Sequence, residues 1–238
     1  MDIVYTVSPS QVHDHTELRY SIRSLVKHLH CIDKIFIVGH KPEFLANTIH
    51  IPAENIKVFD PAFNIYQKVL AACLHSKLSS HFLYCSDDHF LLRDVRALEF
   101  PYYYSGNLEM AIARSTDAQS YKPHLLATLD VLTQRSLPTQ HFNVHSPIVY
   151  HKDIFISLMR EYDWTGKKGY VLKSLYANTL RIPGVEHVDV KIHNPKTKSA
   201  IYRKIKGHAF FSTDERALNP EMHEVLEELY PEQSPWEK

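Results

Sequence analysis

Two adjacent carboxylates, Asp87 and Asp88, close the apolar run in "HFLYCSDDHFLL". An unpaired charge is expensive to bury, so a strand that ends on two acids needs something positive to meet them. At a strand end the pair can ligate a hard divalent cation such as Mg2+ or Mn2+. Such a cation neutralises the phosphates of a nucleotide and stabilises a departing diphosphate. A turn or capping role is the plainer alternative, because Asp is common after strands. The pair alone leaves both open.

Other residues invite related chemistry. His145, in "FNVHSPIVY", could complete a metal shell or act as a base, although the chain has 17 histidines and most must be bystanders. His89, next to the acidic pair, is expected to point away from Asp88 if the strand end is extended. Arg19 and Arg23 stand four apart on one helix face and could clamp a diphosphate, or simply form a solvated stripe. The stretch "KIHNPKTKSAIYRKIKGH", residues 191–208, carries Lys191, Lys196, Lys198, Arg203, Lys204 and Lys206 and no acid. It could meet a donor diphosphate, a phosphate-bearing acceptor or nucleic acid, or be a solvated basic loop.

The elements that must hold these residues show as an alternation of strand and helix patterns. "DIVYTV", "KIFIVG", "NIKVFD" and "HFLYCS" read as strands. Between the first two, "TELRYSIRSLVKHL" sets Leu18, Ile22, Leu25, Val26 and Leu29 on one helical face, with Thr16 as N-cap. "NIYQKVLAACLH" is the next helix. This order predicts an α/β fold with a mainly parallel central sheet covered by helices on both faces. After residue 100 the pattern is less regular. "EMAIAR" reads as a strand, "PHLLATLDVLTQR" as a helix, and "FNVHSPIVYHKDIFISLMREY" as strand, turn and helix. The tail holds an amphipathic helix capped by Asn219, with Pro220 at its first position and Met222, Val225, Leu226 and Leu229 along its apolar stripe. Ligands of open α/β sheets gather beyond the carboxyl ends of the strands, where Asp87 and Asp88 fall.

Bulk composition narrows the classes. Lysine plus arginine and aspartate plus glutamate each number 27, so overall charge does not argue for a nucleic-acid or membrane partner. The three cysteines, Cys31, Cys73 and Cys85, lack metal-ligand spacing and read as reduced core residues, favouring a cytosolic protein. "MDIVYTV" does not read as a signal peptide, and no apolar run is long enough to span a membrane. Six glycines leave no flexible linker and no glycine-rich phosphate loop, and 238 residues are read as a single domain.

Several stretches together are more specific than any one. "DIVYT", "ELRYSIRSLVKHLHCIDKIFIVG", "FLYCSDDHFLL", "HSPIVY" and "YPEQSPWE" occur in the order found in the Stealth family of sugar-phosphate transferases, which the chain resembles over nearly its whole length. The compact form is similar to bacteriophage glycosyltransferases with a GT-A-like fold. The resemblance implies a nucleotide-binding half over residues 1–100 and an acceptor half over 101–238. It puts Tyr5, Thr6, Arg19, Arg23, Asn64 and Lys68 at the donor. Asp88, with Asp87 in support, would bind Mn2+ or Mg2+; His145 would be a base or a further ligand. Asp214 in "FFSTDE" falls on a late acidic motif and is the other candidate base. Departures include "VSPSQVHD" in place of the first acidic loop, where Asp14 is the nearest stand-in, Ser86 in place of an Asn, and His89 in place of an aromatic or Met.

The expected activity is metal-dependent transfer of a sugar from a nucleotide-sugar to an acceptor hydroxyl on DNA, protein or glycan, in the cytoplasm of a bacterium or infected host. Arg203, Lys204 and Lys206 are the expected acceptor or phosphate patch. Sugar 1-phosphate transfer, a non-catalytic glycan- or nucleic-acid-binding module and a phosphohydrolase are the alternatives.

Overall fold

Continuous apolar runs become the buried strands of the central sheet. The computed structural model describes residues 1–9, 14–56, 60–116, 121–164 and 169–238. Strand β1 (Asp2–Val7) leads through helix α1 (Thr16–His28) and the short β2 (Leu29–His30) to β3 (Ile35–Gly39) and β4 (Ile49–Ile51). Helix α2 (Pro61–Cys73) returns the chain to β5 (His81–Cys85), which turns into β6 (His89–Leu91). Then follow β7 (Val95–Arg96), β8 (Tyr103–Tyr104), α3 (Leu108–Arg114), α4 (Tyr121–Gln134), β9 (Ile148–His151) and α5 (Lys152–Met159). The chain continues through α6 (Leu172–Thr179), β10 (Val185–Glu186), β11 (Lys191–Ile192), α7 (Lys198–Ile205), β12 (Phe210–Thr213) and α8 (Pro220–Leu229).

The main sheet has the order β4-β3-β1-β5-β9 and is parallel except for β9, which runs antiparallel to β5. Side chains of β1 alternate between two cores. Ile3, Tyr5 and Val7 pack under α1 with Leu18, Ile22 and Leu25. Val4 faces the opposite layer, with Phe63, Tyr66 and Val69 of α2 and Phe155 of α5. A smaller sheet, β11-β12-β6, forms a third core with Ile201 of α7 and Met222, Val225 and Leu226 of α8. β2 pairs with β7, and β8 with β10, as short parallel ladders.

Local departures from the sequence pattern have local causes. "EMAIAR" belongs to helix α3, not a strand, because Asn107 caps it by accepting from the Met110 N–H at 2.9 Å. The N-cap of α1 is His15, with a left-handed φ of 48°, and Thr16 is the first helical residue. Val26 is 38% exposed and lies off the buried stripe. Cys31 is exposed rather than core, while Cys73 and Cys85 are buried; all three are free thiols. Of the expected strand "NIKVFD", residues 57–59 lie outside the described residues, as do residues 10–13 of the first loop. The strand beside β3 is β4. Among the described residues, no helix is long and apolar enough to cross a membrane.

Candidate active site

Asp87 and Asp88 form the turn that carries the chain from the main sheet to the smaller one. The His89 N–H closes it on the Ser86 carbonyl at 3.3 Å. Helix α1 holds the far side of this turn with serines. Ser21 Oγ donates to the His89 carbonyl at 2.6 Å and pairs with the Tyr5 hydroxyl at 2.9 Å. Ser24 Oγ accepts from the Leu91 N–H at 3.1 Å and donates to the Ser21 carbonyl at 2.7 Å. The "RYSIRS" stretch therefore fixes the acidic turn through its hydroxyls.

Its arginines do something else. Arg23 grips both carboxylate oxygens of Glu237 at 2.9 Å, and Arg19 reaches Oε2 of the same residue at 2.9 Å. The Glu237 side chain is fully buried. Where the sequence suggested a diphosphate clamp, these guanidinium groups bind a carboxylate of the chain's own tail. Tyr5 turns inward: it is wholly buried beneath α1, with its hydroxyl on Ser21.

Something positive does meet the acids. Lys191 Nζ lies 3.3 Å from Asp88 Oδ2. Burial, then the charges of Asp88 and Glu17, raise the Asp87 carboxyl to about 7. Lys68, buried on α2, donates to the Val7 carbonyl at 3.0 Å and Ser8 Oγ at 3.1 Å. Burial lowers its pKa and the Asp87 charge opposes that shift. Gly39 makes room for it: with φ at +108°, its absent side chain would stand 2.2 Å from the Val7 carbonyl and 3.1 Å from Lys68 Nζ. Asn64 is buried one turn earlier on α2. Thr6 Oγ1 lies 3.1 Å from the Tyr84 hydroxyl at the carboxyl ends of β1 and β5.

A cavity of about 240 Å³ opens beside the turn, lined by Ser86, His89, Tyr84, Asn143, His145 and Lys173 and closed by the starts of α2 and α6. His89 does not point away as expected. The turn folds its ring back, so that Nδ1 accepts from the Ser86 N–H at 3.2 Å and Nε2 faces Asp88 Oδ1 at 3.8 Å. Burial first, then Lys173, His145 and Lys191, hold this imidazole well below its ordinary pKa.

His145 has a partner that spacing could not reveal. Asp189, 44 residues away, takes the His145 Nδ1 at 2.6 Å and the His145 N–H at 3.1 Å. Burial raises the Asp189 carboxyl, but the hydrogen bonds and charge of His145 outweigh this and hold it below its ordinary value. An ionised carboxylate only accepts, so Nδ1 carries the proton and Nε2 is the basic nitrogen. Buried Lys173 donates to the carbonyls of Val144 and Ser146 at 3.0 and 2.6 Å, pinning the backbone on both sides of His145. Burial lowers its ammonium to about 8. A lone lysine in the apolar run "YVLKSLYAN" was the sequence signal for it; Asp189 had none.

The remaining candidates lie apart from the cavity's lining. β12 runs antiparallel along β6 toward the acidic turn, and Asp214 follows its end. Asp214 Oδ2 takes His193 Nδ1 at 2.8 Å and Arg216 at 2.9 Å. Burial raises this carboxyl, but the His193 and Arg216 bonds prevail and lower it. The basic stretch runs from β11 into helix α7, on which Arg203 and Lys204 are exposed, and Lys206 is exposed just after it. Lys198 is paired with Glu224 and Glu228, and Lys204 donates to the Lys191 carbonyl. Among the described residues, no three His, Cys, Asp or Glu side chains gather into a metal cage.

The chain superposes on the galactosyltransferase LgtC in an active-site mutant (TM-score 0.55, 9% identity, 98% of this chain and 96% of that chain). LgtC in complex with donor and acceptor sugar analogues gives a TM-score of 0.52 at 10% identity, over 98% of this chain and 96% of that one. The fold is GT-A-like. In sequence, this GT-A-like chain is similar to a capsular polysaccharide phosphotransferase of Actinobacillus pleuropneumoniae, 32% identical over 41% of this chain and 29% of the relative. A capsular polysaccharide phosphotransferase of Neisseria meningitidis serogroup B is 28% identical over 62% of this chain and 43% of the relative. The chain spans less than half the length of these curated relatives. No protein-family model matches.

Proposed function

We propose that the protein is a transferase that moves a sugar-bearing group from a nucleotide-sugar to an acceptor hydroxyl. One observation carries this reading: the His145–Asp189 pair and the Asp87–Asp88 turn lie at the same cavity, through His145 on one side and Ser86 and His89 on the other. Such a site pairs a proton acceptor with an electrostatic site for a leaving group.

His145 Nε2 takes the proton of the acceptor hydroxyl, and Asp189 fixes the tautomer and stabilises the imidazolium that forms. Lys173 holds the His145 backbone in register through two carbonyls. Asp88 and Asp87 are the proposed ligands of a divalent cation, Mn2+ or Mg2+. The donor set suits one: the two carboxylates are adjacent in the turn, Asp88 beside Lys191, and such ions commonly take their other ligands from phosphate and water. The raised Asp87 carboxyl is what cation binding would relieve. The bound cation supplies charge compensation for the donor's phosphates. Thr6, Asn64 and Lys68 are proposed to shape the donor end, and Arg203, Lys204 and Lys206 to meet an extended phosphate-bearing acceptor.

Two bonds of such a donor can break. Attack at the anomeric carbon releases a nucleoside diphosphate. Attack at phosphorus transfers sugar 1-phosphate and releases a nucleoside monophosphate. The sequence similarity to phosphotransferases favours the second.

The test is a thermal-shift screen of nucleoside diphosphates and nucleotide-sugars with Mn2+ or chelator, on wild type and Asp88→Ala, followed by identification of the released nucleotide. The expected result is a shift for one nucleotide that needs the cation and vanishes in the variant. No shift with any nucleotide would leave a binding module, and donor cleavage that ignores acceptors would make it a hydrolase.

A further inference from the structure

A second cleft opens at the His145–Asp189 pair. Asp189 itself stands in its wall, and the cleft shares Tyr121, Asn143 and Val144 with the cavity that His145 lines. The shared wall is polar: the Tyr121 hydroxyl pairs with His141 Nε2 at 2.8 Å and accepts from Asn143 Nδ2 at 3.0 Å. Burial lowers the His141 imidazole to about 4, so this ring is neutral and contributes no charge. The cation of the cleft is Arg114, exposed at the end of α3 and without an ion pair among the described residues. Ser105 and Thr116 add hydroxyls to the same lining.

We propose that this cleft is the acceptor subsite and that it takes a sugar bearing an anionic group, carboxylate or phosphate, received by Arg114. The inference rests on the transferase reading above. A base that activates an acceptor must reach the acceptor hydroxyl while facing the donor; His145 lines the first cavity, its partner Asp189 lines the second, and the adjoining Asn143 and Val144 line both. A guanidinium fork matches carboxylate and phosphate oxygens in pairs, while hydroxyl and amide groups suit the hydroxyls of a sugar ring. The first cavity, next to the acidic turn, is left to the donor.

The test uses 15N-labelled protein titrated with methyl β-D-glucuronide, glucose 6-phosphate and the neutral methyl β-D-glucoside. One or both anionic sugars are expected to shift the Arg114 side-chain signal and the Ser105 and Thr116 amides, with an affinity about tenfold above that of the neutral sugar. Arg114→Gln should abolish that preference, and Arg114→Lys should keep part of it. The two anionic probes separate a carboxylate from a phosphate substituent. Equal responses to anionic and neutral sugars, shifts confined to other surfaces, no response, or a preference that survives Arg114→Gln would each overturn the proposal. A nucleoside diphosphate with Mg2+ is titrated in parallel and read at Ser86, His89 and Lys173. Its failure to bind would count against the transferase reading, independently of the sugar arms.

Discussion

At the scale of single residues, charge in the acidic turn decides behaviour. The Asp87 carboxyl sits at about 7, above its unfolded value near 3.9. The folded state therefore binds more protons than the unfolded one between these values. Stability without cation should fall as pH rises through that window and level off above about 7. Asp87→Asn lacks this penalty. In chelator it should unfold at a higher temperature than wild type at pH 8, by about 1 kcal/mol, with little difference at pH 4. Melting curves at the two pH values check this; an equal difference at both would refute it. At the other side of the cavity, Asp189→Asn removes the charge that orients His145. Its kcat should drop about 100-fold or more with the donor KM little changed, and His145→Ala should lose at least as much. Steady-state kinetics decide; a change confined to KM would move the pair out of the chemistry.

At the scale of elements, α1 organises two distant segments at once. Its serines hold β6 and the acidic turn, and its arginines hold the tail through Glu237. The tail also pairs with the loop after β3, where the Ala46 N–H donates to the Trp236 carbonyl at 2.8 Å and the Lys238 N–H to the Phe44 carbonyl at 2.9 Å. Burying the Glu237 carboxylate is tolerable only because two guanidinium groups and the Ser234 N–H at 3.0 Å satisfy it. Arg23→Gln should therefore destabilise the protein by about 2 kcal/mol while leaving nucleoside diphosphate affinity within about twofold. Denaturant unfolding and calorimetric binding on the same variant test both halves. A large loss of nucleotide affinity with unchanged stability would restore the phosphate-clamp role.

At the scale of the whole molecule, function depends on where two sheets meet. The main sheet brings the carboxyl ends of β1 and β5 to one edge, and the turn after β5 starts the smaller sheet there. β9 and the segment before it return His145 to the same edge from the second half of the chain. The α/β alternation of the first ninety residues was legible because buried parallel strands are continuous apolar runs and α1 keeps a helical period. α3 was misread because the four apolar residues of "EMAIAR", Met110 to Ala113, fit either period, and the Asn107 cap chooses helix.

The sequence by itself determined the parallel core, the carboxyl-edge location of Asp87 and Asp88, and the capped C-terminal helix, since each follows from local pattern and turn chemistry. Tertiary structure alone decided the partners. Glu237 rather than phosphate for Arg19 and Arg23, Lys191 for Asp88, and Asp189 for His145 are pairings across 44 to 218 residues of chain. Short-range spacing carries no information about them, because it is the packing of whole elements that sets which charges share a low-dielectric neighbourhood.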